Sequence, residues 1–300
     1  MEHIPVLLDP ILQMAKGLSQ PPAHYLDGTF GRGGHTRALM AEFPQMRTFA
    51  LDQDEEAIAY GQEHFQRELA SGHLVLCRAN FREVESLQER FSEFHGGAGF
   101  DLILLDLGVS SPQLDRGDRG FSFYHDGPLD MRMDQRGEVT AEDIINNWNP
   151  DELSDLFREL GEVRSPGRVV NAIIEERRKQ AFRTTRELAS LIERCLGWRK
   201  KGHHPATQYF LALRLEVNRE LDVVKEVIPQ LVELLRDSGR LMIITFHSLE
   251  DRIVKYALRD LCDRGFLVNK KVIQAPWGEA KKNPRARSAK LRVFQKGELP

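Results

Sequence analysis

The 300-residue sequence predicts an α/β fold: a doubly wound, seven-stranded, mainly parallel sheet with a helical segment inserted in it. Three observations carry that expectation. Strand and helix patterns alternate four times between Tyr25 and Leu107. Asp101–Leu107 (DLILLDL) is a near-continuous apolar run of the kind shown by a strand buried on both faces. The next convincing strand, Leu241–Phe246 (LMIITF), comes about 130 residues later, where a βαβ unit needs about 30, so something is inserted.

The first βα step is Tyr25–Thr36 (YLDGTFGRGGHT): an apolar stretch carrying Asp27, then Gly28, Gly31, Gly33 and Gly34, then a helical pattern from Thr36 to Phe43. Glycine reaches backbone angles that other residues avoid, so such a turn can bring main-chain N–H groups against a ligand. Arg47–Leu51 reads as a second strand closing on Asp52, and Glu55–Leu69 as a helix. His73–Cys77 reads as a third strand leading to Asn80 and Phe81, and Val84–Phe94 as the next helix. After the fourth strand, Gly117–Arg136 is a Gly/Asp/Arg loop. Amphipathic helices follow at Ala141–Leu160, broken at Pro150, at Pro166–Ala181 and at Thr185–Leu196. A basic loop, Arg199–His204, leads to one long helical pattern, Ala206–Arg236, interrupted at Pro229 and assigned to the core. Leu249–Cys262 reads as a helix, and Phe266–Ile273 with Leu291–Gln295 as a hairpin that completes the sheet. The core is therefore 1–115 with 205–300, and the insert 116–204.

With 41% apolar and 29% charged residues the chain has ample material for a globular core. The formal charge of −3 is unevenly spread: Lys281–Lys296 holds seven basic and no acidic residues, and Arg177–Arg186 five and none. Such tracts suit phosphate contact at chosen places, with solvated faces as the plainer reading. Cys77, Cys195 and Cys262 are odd in number and far apart, against both a disulfide framework and a zinc site, so a cytoplasmic location and no metal are expected. The first residues make a poor signal peptide, and no apolar run is long enough to span a membrane.

Spacing discriminates among nucleotide pockets. A P-loop needs Lys and Ser/Thr where Gly34 and His35 stand, and a dinucleotide fingerprint started at Gly31 places Thr36 at its third glycine. What remains is a glycine loop with Asp52 at the end of strand 2, where a carboxylate can accept both ribose hydroxyl protons. Phe81 offers an apolar wall for a base. With no lysine to neutralise a triphosphate, the ligand is expected to be a nucleoside carrying little phosphate, and S-adenosylmethionine meets that description.

Open α/β sheets bind substrates beyond the carboxyl ends of their strands, at the switch point, and Asp106 stands there, followed by Gly108, Ser110, Ser111, Pro112 and Gln113. Asp106, Ser110 and Ser111 are the candidate catalytic residues. Methyl transfer to an aromatic amine needs in-line positioning in a dry site and acceptors for the amine hydrogens, without a tuned histidine. A capped loop is the structural alternative.

At these residues the chain resembles the RsmH (MraW) family of bacterial ribosomal RNA small-subunit methyltransferases, which methylate N4 of a decoding-centre cytidine. The resemblance rests on HIPVLL at 3–8, DGTFGRGGH at 27–35, DQD at 52–54, LLDLGVSSPQL at 104–114 and RGFSFYHDGPLDMRMD at 119–134. It continues with HPAT at 204–207, ALRLEVNREL at 212–221, FHSLEDR at 246–252 and NPRARSAKLR at 283–292. It implies a Rossmann-like class I methyltransferase sheet and S-adenosylmethionine contacts at Gly33, Gly34, His35, Asp52, Phe81, Asp106 and Gln113. It also implies 16S ribosomal RNA of the small subunit as partner, an insert that helps bind RNA, and a cytoplasmic site of action. The chain departs from the family at Gly161–Val170, where Pro166 should start a helix, and at Gln208 and Leu211. Candidate RNA contacts are Arg177–Arg186, Arg199–His204 and Lys281–Arg292, with His247 and Arg252 at the pocket rim and Met131 and Met133 either lining a base pocket or filling core. Monomer and homodimer both remain open, and an RNA-binding assembly factor with a vestigial cofactor pocket is the competing function.

Overall fold

A computed structural model describes residues 5–108, 117–197 and 204–298. The chain forms two compact units, Met1–Gly108 with Leu221–Pro300, and Val109–Glu220.

Among the described residues the first unit is a mixed sheet of eight strands: β1 (His24–Asp27), β2 (Arg47–Asp52), β3 (Leu74–Arg78), β4 (Phe100–Asp106), β5 (Leu235–Thr245), β6 (Gly265–Leu267), β7 (Ile273–Gln274) and β8 (Lys290–Lys296). Their order is β3-β2-β1-β4-β5-β8-β6, with β7 also on β8. The first five run parallel, and β8 is antiparallel to β5, β6 and β7. Eight strands replace the expected seven because 266–273 is not one strand: β6 and β7 are separate pieces on the same partner. Successive strand residues face opposite sides, so β4 sends Ile103 and Leu105 into one apolar cluster and Leu102 and Leu104 into the other. β5 does the same with Leu241 and Ile243 against Met242 and Ile244. Each such residue is fully buried, stabilising the unit by about 1.5–3 kcal/mol before entropy is counted.

The main departure from the sequence reading lies at 206–236. Two helices stand there, Thr207–Val217 and Glu220–Leu234, and the break falls at Arg219, whose φ is 49°. Pro229 sits inside the second helix without ending it. The first of the two, assigned from sequence to the sheet's core, buries Tyr209, Phe210, Ala212 and Leu213 in the apolar cluster of the helical unit. β5 begins six residues before the apolar run, because a register shift opposite Phe100 and Leu102 absorbs extra residues around Ser238 (φ 65°) and Gly239. Smaller differences occur at Glu55–Leu69, which divides at Phe65, and at 84–94, where the helix starts only at Gln88.

In the helical unit the helices fall close to the expected ranges, and the structure adds their caps. Thr140–Asp143, Asn149–Glu152 with Pro150 at the first turn, and Thr184–Glu187 form reciprocal capping boxes for helices Ala141–Asn147, Pro150–Glu159 and Thr185–Leu196. Pro166 caps helix Gly167–Arg177, accepting from Val169 and Val170 N–H. The 117–136 loop is held by Asn218, whose side chain donates to Met131 O and accepts from Met133 N–H at 2.9 and 2.8 Å. Met131 and Met133 are core residues here.

Candidate functional site

β1 and β4 are parallel neighbours whose chains leave in opposite directions, β1 toward β2 and β4 toward β5, which makes their carboxyl ends the switch point where open α/β sheets hold ligands in a crevice. The glycine loop fills one wall of it. Gly31 and Gly33 take φ of 54° and 65°, angles that favour glycine. A methyl group on Gly33 would come within 2.5 Å of Phe65 Cζ and 2.7 Å of Phe30, and one on Gly34 within 2.6 Å of Pro5 Cγ. The loop is thus pressed from behind by two core rings and by the N-terminal segment, and Gly33 immediately precedes helix Gly34–Glu42.

Carboxylates at the strand ends tie the loop down. Asp27 accepts from Thr29 N–H at 3.1 Å and from the Thr36 hydroxyl at 2.6 Å, bracing the turn from below. Asp52 accepts from Gly31 N–H at 2.7 Å and Asp54 N–H at 2.8 Å, so the end of β2 grips the loop of β1. Asn80 donates to Gln53 Oε1 at 2.6 Å, joining the β3 end to the β2 end and placing Phe81, half buried, where its Cβ approaches Gly28. The Thr29 hydroxyl accepts from Asp106 N–H at 2.6 Å, joining β4 to the same loop. His35 makes an Nε2 hydrogen bond with Val6 O at 2.9 Å, and its Nδ1 lies 3.8 Å from Asp106 Oδ2.

Gly33, Gly34, His35, Asp52, Phe81 and Asp106 therefore stand along one connected rim. Ser110, Ser111 and Gln113 lie outside the described residues, as does most of the Arg199–His204 loop. His247 caps helix Ser248–Asp260 with Glu250, and Arg252 is exposed on that helix. Spacing alone did not reveal Thr29 and Glu250: Glu250 is buried beyond β5, and its charge bears on Asp106. The only sequence signal for them is their position inside DGTFGRGGH and FHSLEDR.

Burial pushes the Asp106 carboxyl up to about 6, with His35 opposing the rise and Asp27 and Glu250 adding to it. Burial also lifts Asp52 to about 6, against the hydrogen bonds from Asp54 and Gly31 N–H. Asp106 Oδ1 is buried and, among the described residues, has no hydrogen-bond partner. An unmet buried acceptor costs about 1–3 kcal/mol, a penalty removed by a ligand that brings a donor or a positive charge. Four acidic groups gathered there, Asp27, Asp52, Asp106 and Glu250, favour a cationic ligand.

The pH dependence follows. Both folded carboxyls sit above their ordinary value of 3.8, so the folded protein holds protons that the unfolded chain releases between 3.8 and about 6. The two groups thus favour folding most at low pH, and that contribution is lost as pH rises through 6. A cationic ligand needs the ionised forms. Its affinity is expected to be flat above pH 7 and to fall below pH 6 by about tenfold per unit for each carboxylate it engages. Calorimetric titration with S-adenosylmethionine from pH 5 to 8 measures this, and a flat profile contradicts it.

The family model of the MraW methylase family matches residues 1–297. The ribosomal RNA small subunit methyltransferase H of Bdellovibrio bacteriovorus is 53% identical over 296 residues, 98% of this chain and 88% of that protein. Those of Crocosphaera subtropica and Halothermothrix orenii are 42% and 38% identical, covering 99% of this chain and 90% and 99% of theirs. The chain belongs to the MraW methylase family.

Proposed function

We propose that this protein transfers a methyl group from S-adenosylmethionine to the exocyclic N4 of a decoding-centre cytidine in 16S ribosomal RNA of the small subunit, acting in the cytoplasm and tuning the P site. The carrying observation is Asp106 Oδ1, a buried acceptor without a partner among the described residues, at the switch point beside a glycine cradle. The rRNA substrate is supported by the names of relatives that match nearly the whole chain.

The cradle suits the donor chemically. Asp52 would accept the ribose hydroxyl protons, Phe81 would wall the base, and Gly33, Gly34 and His35 would flank the amino-acid end. When bound, the donor supplies an electrophilic methyl on a sulfonium whose charge is lost on transfer. Asp106 is positioned to hold a cationic or amine donor group, and its ionised form is the competent one. Ser110, Ser111 and Gln113, following β4, are proposed to complete the site, and the helical unit to help hold the RNA. The base must leave its stack to be reached.

Small subunits from cells lacking the protein should accept methyl from labelled donor in vitro, whereas DNA, free cytidine and protein should not. Activity should fall steeply with salt, as phosphate contacts require. Label appearing in protein contradicts the reading. Calorimetry with the donor tests the vestigial-pocket alternative, which predicts no binding.

A further inference from the structure

We propose that residues 270–287 form a second RNA contact, a platform on which the Trp277 indole stacks one unpaired base while Lys281, Lys282 and Arg287 hold neighbouring phosphates. This rests on the rRNA reading above, and it assigns a strand-holding surface distinct from the donor crevice.

Trp277 is 77% exposed, and helix Trp277–Lys282 buries none of its residues. Lys281 Nζ stands 5.1 Å from the indole centroid. Lys270, Lys271, Lys281, Lys282 and Arg287 are all exposed, and among the described residues no carboxylate forms an ion pair with them. Glu279 is the only acid between Asn269 and Lys290, and its Oε1 accepts from Leu7 N–H at 2.7 Å. A lysine against an exposed aromatic ring, with further exposed cations on the same segment and the one local acid engaged inward, makes a surface that no carboxylate among the described residues neutralises.

Its position matters as much as its composition. β7 pairs with Lys290 and Leu291 at the start of β8, and those residues pair with Thr245 and Ile244 at the carboxyl end of β5. The 275–289 excursion therefore leaves the sheet at the edge that carries Asp106. The bond from Leu7 to Glu279 anchors the helix to the N-terminal segment. That same segment contacts the donor loop, through Val6 O on His35 and Pro5 on Gly34. A strand threading toward the crevice along this edge would meet Trp277.

Among anionic partners, a single-stranded nucleic acid fits best. Base–aromatic stacking with phosphate-binding cations alongside is the usual composition of such surfaces. A membrane-binding helix needs a continuous apolar face, and WGEAKK offers one aromatic residue and no such face.

The test uses the full chain and a fluorescein-labelled single-stranded RNA of about ten nucleotides, a length within the site sizes of such surfaces, read by anisotropy. Trp277→Ala should weaken binding by about tenfold, and Trp277→Phe by no more than about threefold. Lys281→Ala with Lys282→Ala should reduce the slope of log affinity against log salt by about 1.4. Donor affinity by calorimetry should be the same in all variants. If the wild type binds RNA and Trp277→Ala binds equally well, the platform is wrong while the rRNA reading stands. Loss of binding to phosphatidylglycerol vesicles in Trp277→Ala, with RNA binding unchanged, also overturns it in favour of a membrane surface. If the wild type binds neither this RNA nor small subunits, both readings fall.

Discussion

Gly33→Val should abolish donor binding, lowering affinity for S-adenosylmethionine by at least about a hundredfold. A β-branched residue at a φ of 65° is a backbone outlier, and left-handed geometry already costs an ordinary L-residue roughly 1–2 kcal/mol. Its Cβ would also meet Phe65 and Phe30, at 1% and 3% exposure too firmly packed to yield. The loop must therefore shift, taking the N–H groups before helix Gly34–Glu42 with it. Gly31→Ala is the control: its φ is 54°, but nothing lies within 4 Å of the added methyl. It should cost about 1–2 kcal/mol of stability and leave donor affinity within about threefold. Near-ultraviolet circular dichroism checks folding, and calorimetry reads binding. A folded Gly33→Val variant that binds donor normally would mean that the loop is not the cradle.

Asp106→Asn should lower kcat/KM by about ten- to a hundredfold and, at pH 7, leave the unliganded protein as stable as before or more so. Asn has the same shape, and the Asp106 N–H bond to Thr29 is a backbone interaction that persists. What disappears is a buried charge set among Asp27 and Glu250, whose removal relieves repulsion. Hydrogen bonds to charged groups contribute about 1.5–3 kcal/mol, so losing the charge removes much of the site's hold on a cation. A site in which stability and activity move oppositely is a functional site rather than a structural one. The acid limb of the affinity profile should also lose one proton's slope, a change that a merely structural role would not produce.

Much of the sheet was legible because local pattern and tertiary role coincide. β4 and β5 read as apolar runs since both their faces are covered, and the glycine loop read as a turn since Gly31 and Gly33 need their angles. The helices of the helical unit were legible from their amphipathic period and from Pro150, whereas their capping boxes, each complete within four residues, carried a local signal that the sequence reading did not use. What was illegible depends on distant partners. Arg219 gives no composition signal for a helix break, whereas Pro229 gives a strong one and does not break its helix. The register shift before β5 is set by pairing with Phe100, more than 130 residues away in sequence. In the site, Asp52 and Asp106 were visible as acids closing strands. Thr29 and Glu250 were not, because a threonine that braces the next strand but two and a glutamate buried beneath a helix cap look ordinary in one dimension. Met131 and Met133 went to the core, as apolar volume usually does.

The atom that receives the methyl defines the reaction. Small subunits from cells lacking this protein should be incubated with isotopically labelled S-adenosylmethionine and the purified chain, and the RNA digested and mapped by mass spectrometry. One labelled nucleoside is expected, a cytidine carrying the methyl on its exocyclic nitrogen, within the decoding centre of 16S ribosomal RNA. Label on another base, on a ribose hydroxyl or on ribosomal protein would contradict it.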